Sequence, residues 1–126
     1  MRARGFTLTE LLLVLLFIAI LASLVVPVVT SSVDRARESA LKEDLYTLRK
    51  AIDDYYADKG KYPESLEQLV DNRYVRKIPV DPMTDRIDTW VEIRNESESD
   101  QADTGVIDVR SGSDEKDSDG VSYSEW

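Results

Sequence analysis

The sequence predicts an α+β fold in which a long N-terminal α-helix packs on a small antiparallel β-sheet that is followed by a C-terminal loop. Three observations support this prediction. Residues 11–29 form a run of nineteen uncharged residues. Residues 30–59 continue with apolar side chains at three- and four-residue steps, and two later segments alternate as strands do. With 126 residues, the chain has room for one small domain besides the apolar segment.

The apolar segment is long enough to cross a membrane. Taken from Phe6 to Val29, it spans roughly 36 Å as a helix, whereas a hydrocarbon core is about 30 Å thick. A secretory signal peptide would have a shorter core followed by a small-residue cleavage site, but the loose candidate at residues 21–23 lies inside the core. An ordinary single-span anchor leaves Glu10 unexplained, because an unpaired carboxylate is costly in an apolar segment.

The second half of the helix is predicted to be amphipathic and to end near Asp58, with Gly60 as its stop signal. Pro27 lacks an amide donor and crowds the preceding turn, so we expect it to kink or locally melt the helix, unless the anchor simply ends there. The apolar positions of the second half are Val33, Ala36, Ala40, Leu41, Leu45, Leu48, Ile52, Tyr55 and Tyr56.

The remaining elements are short. Residues 64–70 predict one helical turn or two, with Pro63 tolerated in the first turn. The prolines of residues 78–82 predict an extended crossing followed by a turn over residues 82–85. Strands are predicted at Thr89–Arg94 and Thr104–Val109, joined by a polar hairpin loop at Asn95–Asp103, in a sheet of two or three strands.

Composition excludes several kinds of chemistry. The chain has no Cys and no His, which excludes disulfides, thiol nucleophiles, Cys/His zinc sites and imidazole bases. The formal net charge is −9, and residues 51–126 alone, with 9 basic and 20 acidic side chains, carry 9 − 20 = −11. Such a surface repels phosphate backbones, so it disfavours nucleic acid and favours cationic partners or divalent cations.

The first residues carry a specific motif. Arg2 and Arg4 precede Gly5, and Gly5 is followed by the sequence FTLTELLLVLLFIAILASLVVP. This pattern resembles the leader and first helix of the type IV pilin and type II secretion pseudopilin superfamily. The resemblance implies that a prepilin peptidase cuts between Gly5 and Phe6 and methylates the new amino terminus of Phe6. Residues 1–5 would then be the leader peptide, residues 6–29 the transmembrane and assembly helix, and residues 30–126 the periplasmic globular domain.

The resemblance also gives two residues of the apolar segment a role in assembly. It implies that Glu10 pairs with the amino terminus of a neighbouring subunit, so that a buried charge finds its partner on assembly. It also places a helix-breaking proline at Pro27. Arg2 and Arg4 would keep the leader in the cytoplasm, which places the C-terminal domain outside the inner membrane.

A second region resembles the major, G-type pseudopilins of type II secretion. It contains Gly-Lys-Tyr-Pro at residues 60–63 and Tyr-Val-Arg-Lys-Ile-Pro-Val-Asp-Pro at residues 74–82. The usual Trp-Gly-Asn after Asp-Pro is Met-Thr-Asp here. Type IV pilins usually end in a disulfide-closed loop, which a chain without cysteine cannot form. These features favour the pseudopilin branch or a cysteine-free relative.

The acidic C-terminal segment suggests a cation site. Several carboxylates in a Gly-containing loop offer hard oxygen ligands that suit calcium, although acidic tails are more often simply solvated. G-type pseudopilins carry a calcium ion in the corresponding loop, and this resemblance implies a structural calcium here. Asp114 matches the loop's first Asp and Trp126 its closing Trp, whereas Ser122 stands where the family has Asp. The candidate ligands are Ser111, Asp114, Asp117, Asp119 and Ser122.

The resemblance implies a structural subunit, not an enzyme: a homopolymer that forms a periplasmic pseudopilus and drives protein export. Its implied partners are the prepilin peptidase, the inner-membrane platform protein and the minor pseudopilins. The first alternative is a type IV pilin or a minor pseudopilin of a pilus or DNA-uptake filament. A membrane-tethered hydrolase with paired carboxylates is disfavoured, because Asp53 and Asp54 are adjacent on a helix and cannot face each other. A calcium-dependent adhesion module would leave the Gly5-Phe6 motif without a role.

Overall fold

The computed structural model describes residues 4–95 and 104–126. The chain divides into two compact units, Met1–Ala36 and Arg37–Trp126, and the predicted domain bounds at residues 5 and 29 stay predictions. The elements are α1 (Leu8–Lys59), α2 (Leu66–Asp71), β1 (Val91–Arg94), β2 (Val106–Arg110) and a terminal 3₁₀ turn (Tyr123–Glu125).

Helix α1 confirms the prediction of one helix that continues from the apolar segment into the amphipathic one. It ends at Lys59, and Gly60 follows in the left-handed region at φ 70°, where glycine is favoured. The Gly60 N–H donates to the carbonyl oxygen of Tyr56 at 2.8 Å. The predicted stop signal therefore acts as one.

Pro27 lies inside α1, so the local melting that we expected as one consequence of this proline is not observed. A proline removes one N–H donor, whereas the turns on either side keep theirs. Nearby hydroxyl groups add bonds to the helix carbonyls. The Thr30 Oγ1 hydroxyl donates to the Pro27 oxygen at 3.0 Å, and the Ser23 hydroxyl donates to the Ile20 oxygen at 2.6 Å.

The apolar segment of α1 is exposed along its length. Leu11, Phe17 and Leu24 keep 53%, 58% and 66% of their accessible surface. By length and composition, α1 is able to cross a membrane, and it is the one such helix among the described residues. Twenty or so apolar residues exposed on all sides are stable in lipid or against other apolar helices, but not in water.

The second part of α1 supplies one side of the core of the globular unit. Leu41, Leu48 and Ile52 are fully buried, which confirms the three- and four-residue periodicity. Val33 and Tyr56, which we assigned to the same face, are instead 47% and 45% exposed. The other core residues are Leu45, Ala51, Tyr55, Leu66, Leu69, Trp90, Val106, Val109 and Tyr123.

Strands β1 and β2 form an antiparallel pair in which Val91 faces Arg110 and Ile93 faces Asp108. The register is irregular between Ile93 and Arg94. Both strands begin two residues later than predicted, and β2 ends one residue later. No third strand pairs with this sheet in the part of the chain that is described. Residues 96–103 of the predicted hairpin loop lie outside the described residues.

The segment between α1 and β1 is held by specific hydrogen bonds. Ser65 caps α2 by accepting the Gln68 N–H, so Pro63 precedes the cap and is not in the first helical turn as predicted. Pro63 is buried, and its carbonyl oxygen accepts the Val106 N–H at 2.7 Å. The predicted turn after Pro82 is present, because Asp85 N–H donates to the Asp81 oxygen at 2.8 Å.

Candidate functional site

The predicted processing residues lie just before α1. Phe6 keeps 88% of its accessible surface, and no heavy atom lies within 4 Å of the position that a Cβ atom on Gly5 would take. Both residues are in irregular backbone, since α1 begins at Leu8. The peptide bond between them therefore lies outside the helix, and cleavage at this bond stays a prediction.

The start of α1 is capped by a residue that sequence reasoning did not single out. Thr7 Oγ1 accepts the backbone N–H of Glu10 at 3.1 Å, as an N-cap threonine does. The pattern Thr-x-x-Glu at residues 7–10 is the signal that could have identified this cap. The carboxylate of Glu10 has no hydrogen bond or ion pair with any described residue, so its partner must be sought outside them.

The C-terminal loop is organised around Asp117. One oxygen, Oδ1, accepts the Asp119 N–H at 2.8 Å and the Val121 N–H at 3.0 Å. The other, Oδ2, accepts the indole N–H of Trp126 at 3.1 Å. The Val121 N–H, and after it the N–H groups of Asp119 and Trp126, hold the pKa of Asp117 below its ordinary value. Both carboxylate oxygens are thus already bound by donors of the loop itself.

Trp126 is fixed from its other side by α1. Arg49 donates from Nη2 to the backbone oxygen of Trp126 at 2.8 Å and from Nε to Asp108 at 2.8 Å. The ammonium group of Lys42 lies 5.1 Å from the centroid of the Trp126 ring, within cation–π range. The ring of Tyr123 meets it edge to face at 5.1 Å. Trp126 therefore packs against the core and anchors the loop to α1.

Two other predicted calcium ligands also have partners within the protein. Ser111 is fully buried, and its hydroxyl donates to Asp81 at 2.6 Å. The Ser122 hydroxyl caps the terminal 3₁₀ turn by accepting the Ser124 N–H. Asp114 and Asp119, by contrast, are exposed, and their carboxylates have no hydrogen bond or ion pair with any described residue.

The predicted ligands fit a calcium cage poorly. Calcium takes six to eight oxygen ligands, usually with carboxylates that face the ion. Here Asp117 is engaged through both oxygens by N–H donors. Across residues 4–95 and 104–126, no three or more Asp and Glu side chains are grouped so that they could hold a metal ion. Calcium binding stays a prediction of the resemblance.

Sequence reasoning also missed the residues that join the loop to the rest of the unit. Arg49, on α1, bridges Asp108 and Trp126. Asp81 was predicted to lie in the extended crossing of residues 78–82, and the structure shows that it is a fully buried carboxylate. No local pattern identifies either role, because the partners lie 30 to 77 positions away.

An exposed apolar helix that continues into a small α+β unit defines a pilin-like protein. The chain is 34% identical to type II secretion system core protein G of Klebsiella pneumoniae over 97 aligned positions, which cover 64% of this chain and 69% of the relative. The protein of the same name from Pseudomonas aeruginosa is 37% identical, with 62% and 66% covered. That of Escherichia coli (strain K12) is 33% identical, with 64% and 67% covered.

These similarities place the chain in the type II secretion system core protein G family, the family of the major pseudopilin. No family model matches the chain. No solved structure matches it significantly either. The assignment therefore stands on the curated relatives, and the fold described above agrees with it.

Proposed function

We propose that this protein is a structural subunit of a type II secretion pseudopilus, without catalytic activity of its own. A prepilin peptidase removes residues 1–5 and methylates Phe6. The mature chains then polymerise through their apolar helices into a periplasmic filament that drives protein export across the outer membrane. The support comes from the core protein G relatives and from the match of the first residues to the leader motif.

One observation carries the proposal most directly, and it is the complete exposure of the apolar part of α1. Before assembly, lipid covers this surface, so the subunit resides in the bacterial inner membrane with its globular unit in the periplasm. In the filament, neighbouring copies cover it. A segment that must be stable in both settings has to be apolar on every side, as residues 11–29 are.

The carboxylate of Glu10 supports the same sequence of events. It has no partner among the described residues of the free chain. The positive amino terminus that cleavage creates on Phe6 of a neighbouring copy would supply one. Pro27 would be the second assembly residue of the helix. The other partners in this proposal are the inner-membrane platform protein, which would receive the subunit, and the minor pseudopilins.

Export and processing are tested together in the bacterium that makes the protein. Deleting the gene should leave the secreted enzymes in the periplasm, and the wild-type gene should restore their export. Gly5→Val should restore nothing and should leave full-length precursor in the inner membrane, as judged by intact mass. Lys61→Ala, an exposed substitution in the globular unit, is the matched control and should behave as wild type.

The same experiment separates the proposal from its alternative. A type IV pilin would give long fibres on the surface of wild-type cells by electron microscopy, and its deletion would leave protein export intact. A mature mass in the Gly5→Val variant would contradict processing at this site. Normal export in the deletion strain would contradict the secretion role.

A further inference from the structure

We propose that the C-terminal loop of this protein is closed by its own hydrogen bonds, which converge on the Asp117 carboxylate. Calcium is then dispensable for the stability of the loop. The resemblance implies a structural calcium in this loop, and the described geometry supplies a different solution. Asp117 binds donors from three residues, Asp119, Val121 and Trp126, which together span the loop.

Hydrogen bonds from three N–H groups to Asp117 already hold the loop together. A calcium ion closes a loop by drawing several oxygens to one point. Here a single carboxylate draws N–H donors to one point instead. The three donors occupy lone pairs on both oxygens of Asp117, so few remain for a cation. Among the described residues no three or more Asp and Glu side chains converge to supply the other ligands that calcium requires.

Backbone N–H and carbonyl groups of the loop are also hydrogen-bonded to each other. The Asp117 N–H donates to the Val121 oxygen at 2.9 Å, and the Gly120 N–H donates to the Asp117 oxygen at 3.1 Å. Gly120 adopts φ 82°, which lets the chain reverse at the tip. Lys116 and Ser122 form an antiparallel bridge at the base of the loop. These bonds form a closed β-turn that needs no external ligand.

The far end of the loop is held in place through Trp126. Trp126 receives the Arg49 guanidinium on its backbone oxygen and donates its indole N–H to Asp117. Its ring also packs against Tyr123 and lies beneath the Lys42 ammonium. Arg49 and Lys42 thus attach Trp126, and with it the end of the loop, to α1 without a metal ion.

The remaining acidic side chains do not assemble a second centre. Asp114 and Asp119 are exposed and have no partner among the described residues. Ser122, which stands where the family has an aspartate, caps the terminal turn with its hydroxyl. Neither the exposed carboxylates nor Ser122 therefore joins Asp117 in a cluster of oxygen ligands within the described residues.

The test uses the full chain in detergent micelles, with near-ultraviolet circular dichroism of the tryptophans followed through thermal unfolding. The wild-type Tm should be the same in EDTA, in millimolar calcium chloride and in millimolar magnesium chloride. Asp117→Ala should lower the Tm by roughly 4 to 8 °C, the size of shift expected in a domain of this size for losing one such set of bonds, and by the same amount in all three solutions.

Matched controls keep the outcome clear. Asp114→Ala and Asp119→Ala remove exposed carboxylates of the same loop and should leave the Tm unchanged in each solution. A Tm that falls in EDTA, is restored by calcium but not magnesium, and loses this response in Asp114→Ala would overturn the proposal. If Asp117→Ala fails to fold, the comparison of wild type in EDTA and in calcium decides the question alone.

Discussion

The hydroxyl of Ser111 donates a 2.6 Å hydrogen bond to Oδ2 of Asp81, and both residues are fully buried. The bond joins the turn after Ile78-Pro79 to the end of β2, thirty positions further along the chain. Oδ2 of Asp81 also accepts the Gly112 N–H at 3.3 Å. The other oxygen, Oδ1, accepts the Met83 N–H at 2.9 Å. A buried carboxylate is stable when its oxygens are satisfied in this way.

Replacing Asp81 by alanine should therefore destabilise the globular unit. The substitution leaves the buried Ser111 hydroxyl and the backbone N–H groups of Met83 and Gly112 without their acceptor. We expect a loss of about 2 to 3 kcal/mol of unfolding free energy, measured by urea denaturation of the full chain in detergent. Asp88→Ala is the control, because Asp88 is exposed and pairs with Arg86 at the surface.

A double-mutant cycle with Ser111→Ala separates the pair from the other bonds of Asp81. If the two single changes simply add, the 2.6 Å bond contributes nothing specific, and the stabilising role assigned to it is wrong. A coupling between them would show that the bond itself stabilises the junction.

The contact between Gly105 and the Tyr62-Pro63 dipeptide gives a second prediction. A Cβ atom on Gly105 would lie 2.6 Å from the Tyr62 Cβ and 2.8 Å from the Pro63 oxygen. Because these atoms belong to the backbone or are bonded directly to it, a change of side-chain rotamer cannot move them away. Gly105→Ala should cost about 3 kcal/mol of unfolding free energy, again by urea denaturation.

Gly60→Ala provides the comparison for this change. Gly60 has open space around its Cβ position but a left-handed backbone, so its substitution should cost only about 1 kcal/mol. Equal losses at the two positions would show that the close approach at Gly105 is relieved by a shift of the chain.

These two junctions show why some of the fold was predictable and the rest was not. The periodicity of residues 41, 45, 48 and 52 is a local signal, and it located the buried face of α1 correctly. The glycine after the helix and the prolines near residue 80 are local signals too. The Asp81–Ser111 bond and the Arg49–Trp126 bond depend on which distant segments meet, and no spacing along the sequence encodes that.

The C-terminal loop illustrates a different limit. The sequence shows several residues that carry oxygen, and calcium and hydrogen-bonded closure use the same residue types. The direction in which the Asp117 oxygens point separates the two, and this direction follows from the turn at Gly120 and the position of Trp126. The boundaries of the strands were missed by two residues because β pairing, rather than local propensity, decides where a strand begins.

The pKa of Asp44 predicts a pH dependence. Burial raises the pKa of this carboxyl above its ordinary value, and the neighbouring charges of Glu43 and Asp81 raise it further. The folded state therefore binds more protons than the unfolded state between the two pKa values, so stability falls as the pH rises through that window. At neutral pH the ionised Asp44 lowers the stability of the unit.

Asp44→Asn should consequently raise the Tm at pH 7, and the gain should shrink as the pH falls and vanish below the ordinary Asp pKa of about 3.9, where the carboxyl is protonated in both states. Thermal unfolding of the full chain at several pH values measures this. Asp53→Asn, at an exposed position of α1, is the control and should show no such trend. A gain that is independent of pH would mean that the amide forms new bonds and that relief of charge is not the cause.

The carboxylate of Glu10 can be removed without disturbing the cap at the start of α1. The cap of α1 uses the backbone N–H of Glu10 and not its carboxylate, so Glu10→Ala leaves the Thr7 bond in place. The variant should insert in the membrane and be cleaved as wild type, yet give few filaments in sheared or cross-linked samples, because the positive amino terminus of the neighbouring subunit loses its partner carboxylate. Thr7→Val, which removes the cap and keeps the carboxylate, should retain most assembly if charge pairing dominates. Abundant filaments from Glu10→Ala would show that the carboxylate does not set the contact between neighbouring subunits, and a failure of both variants would assign the effect to the start of the helix instead.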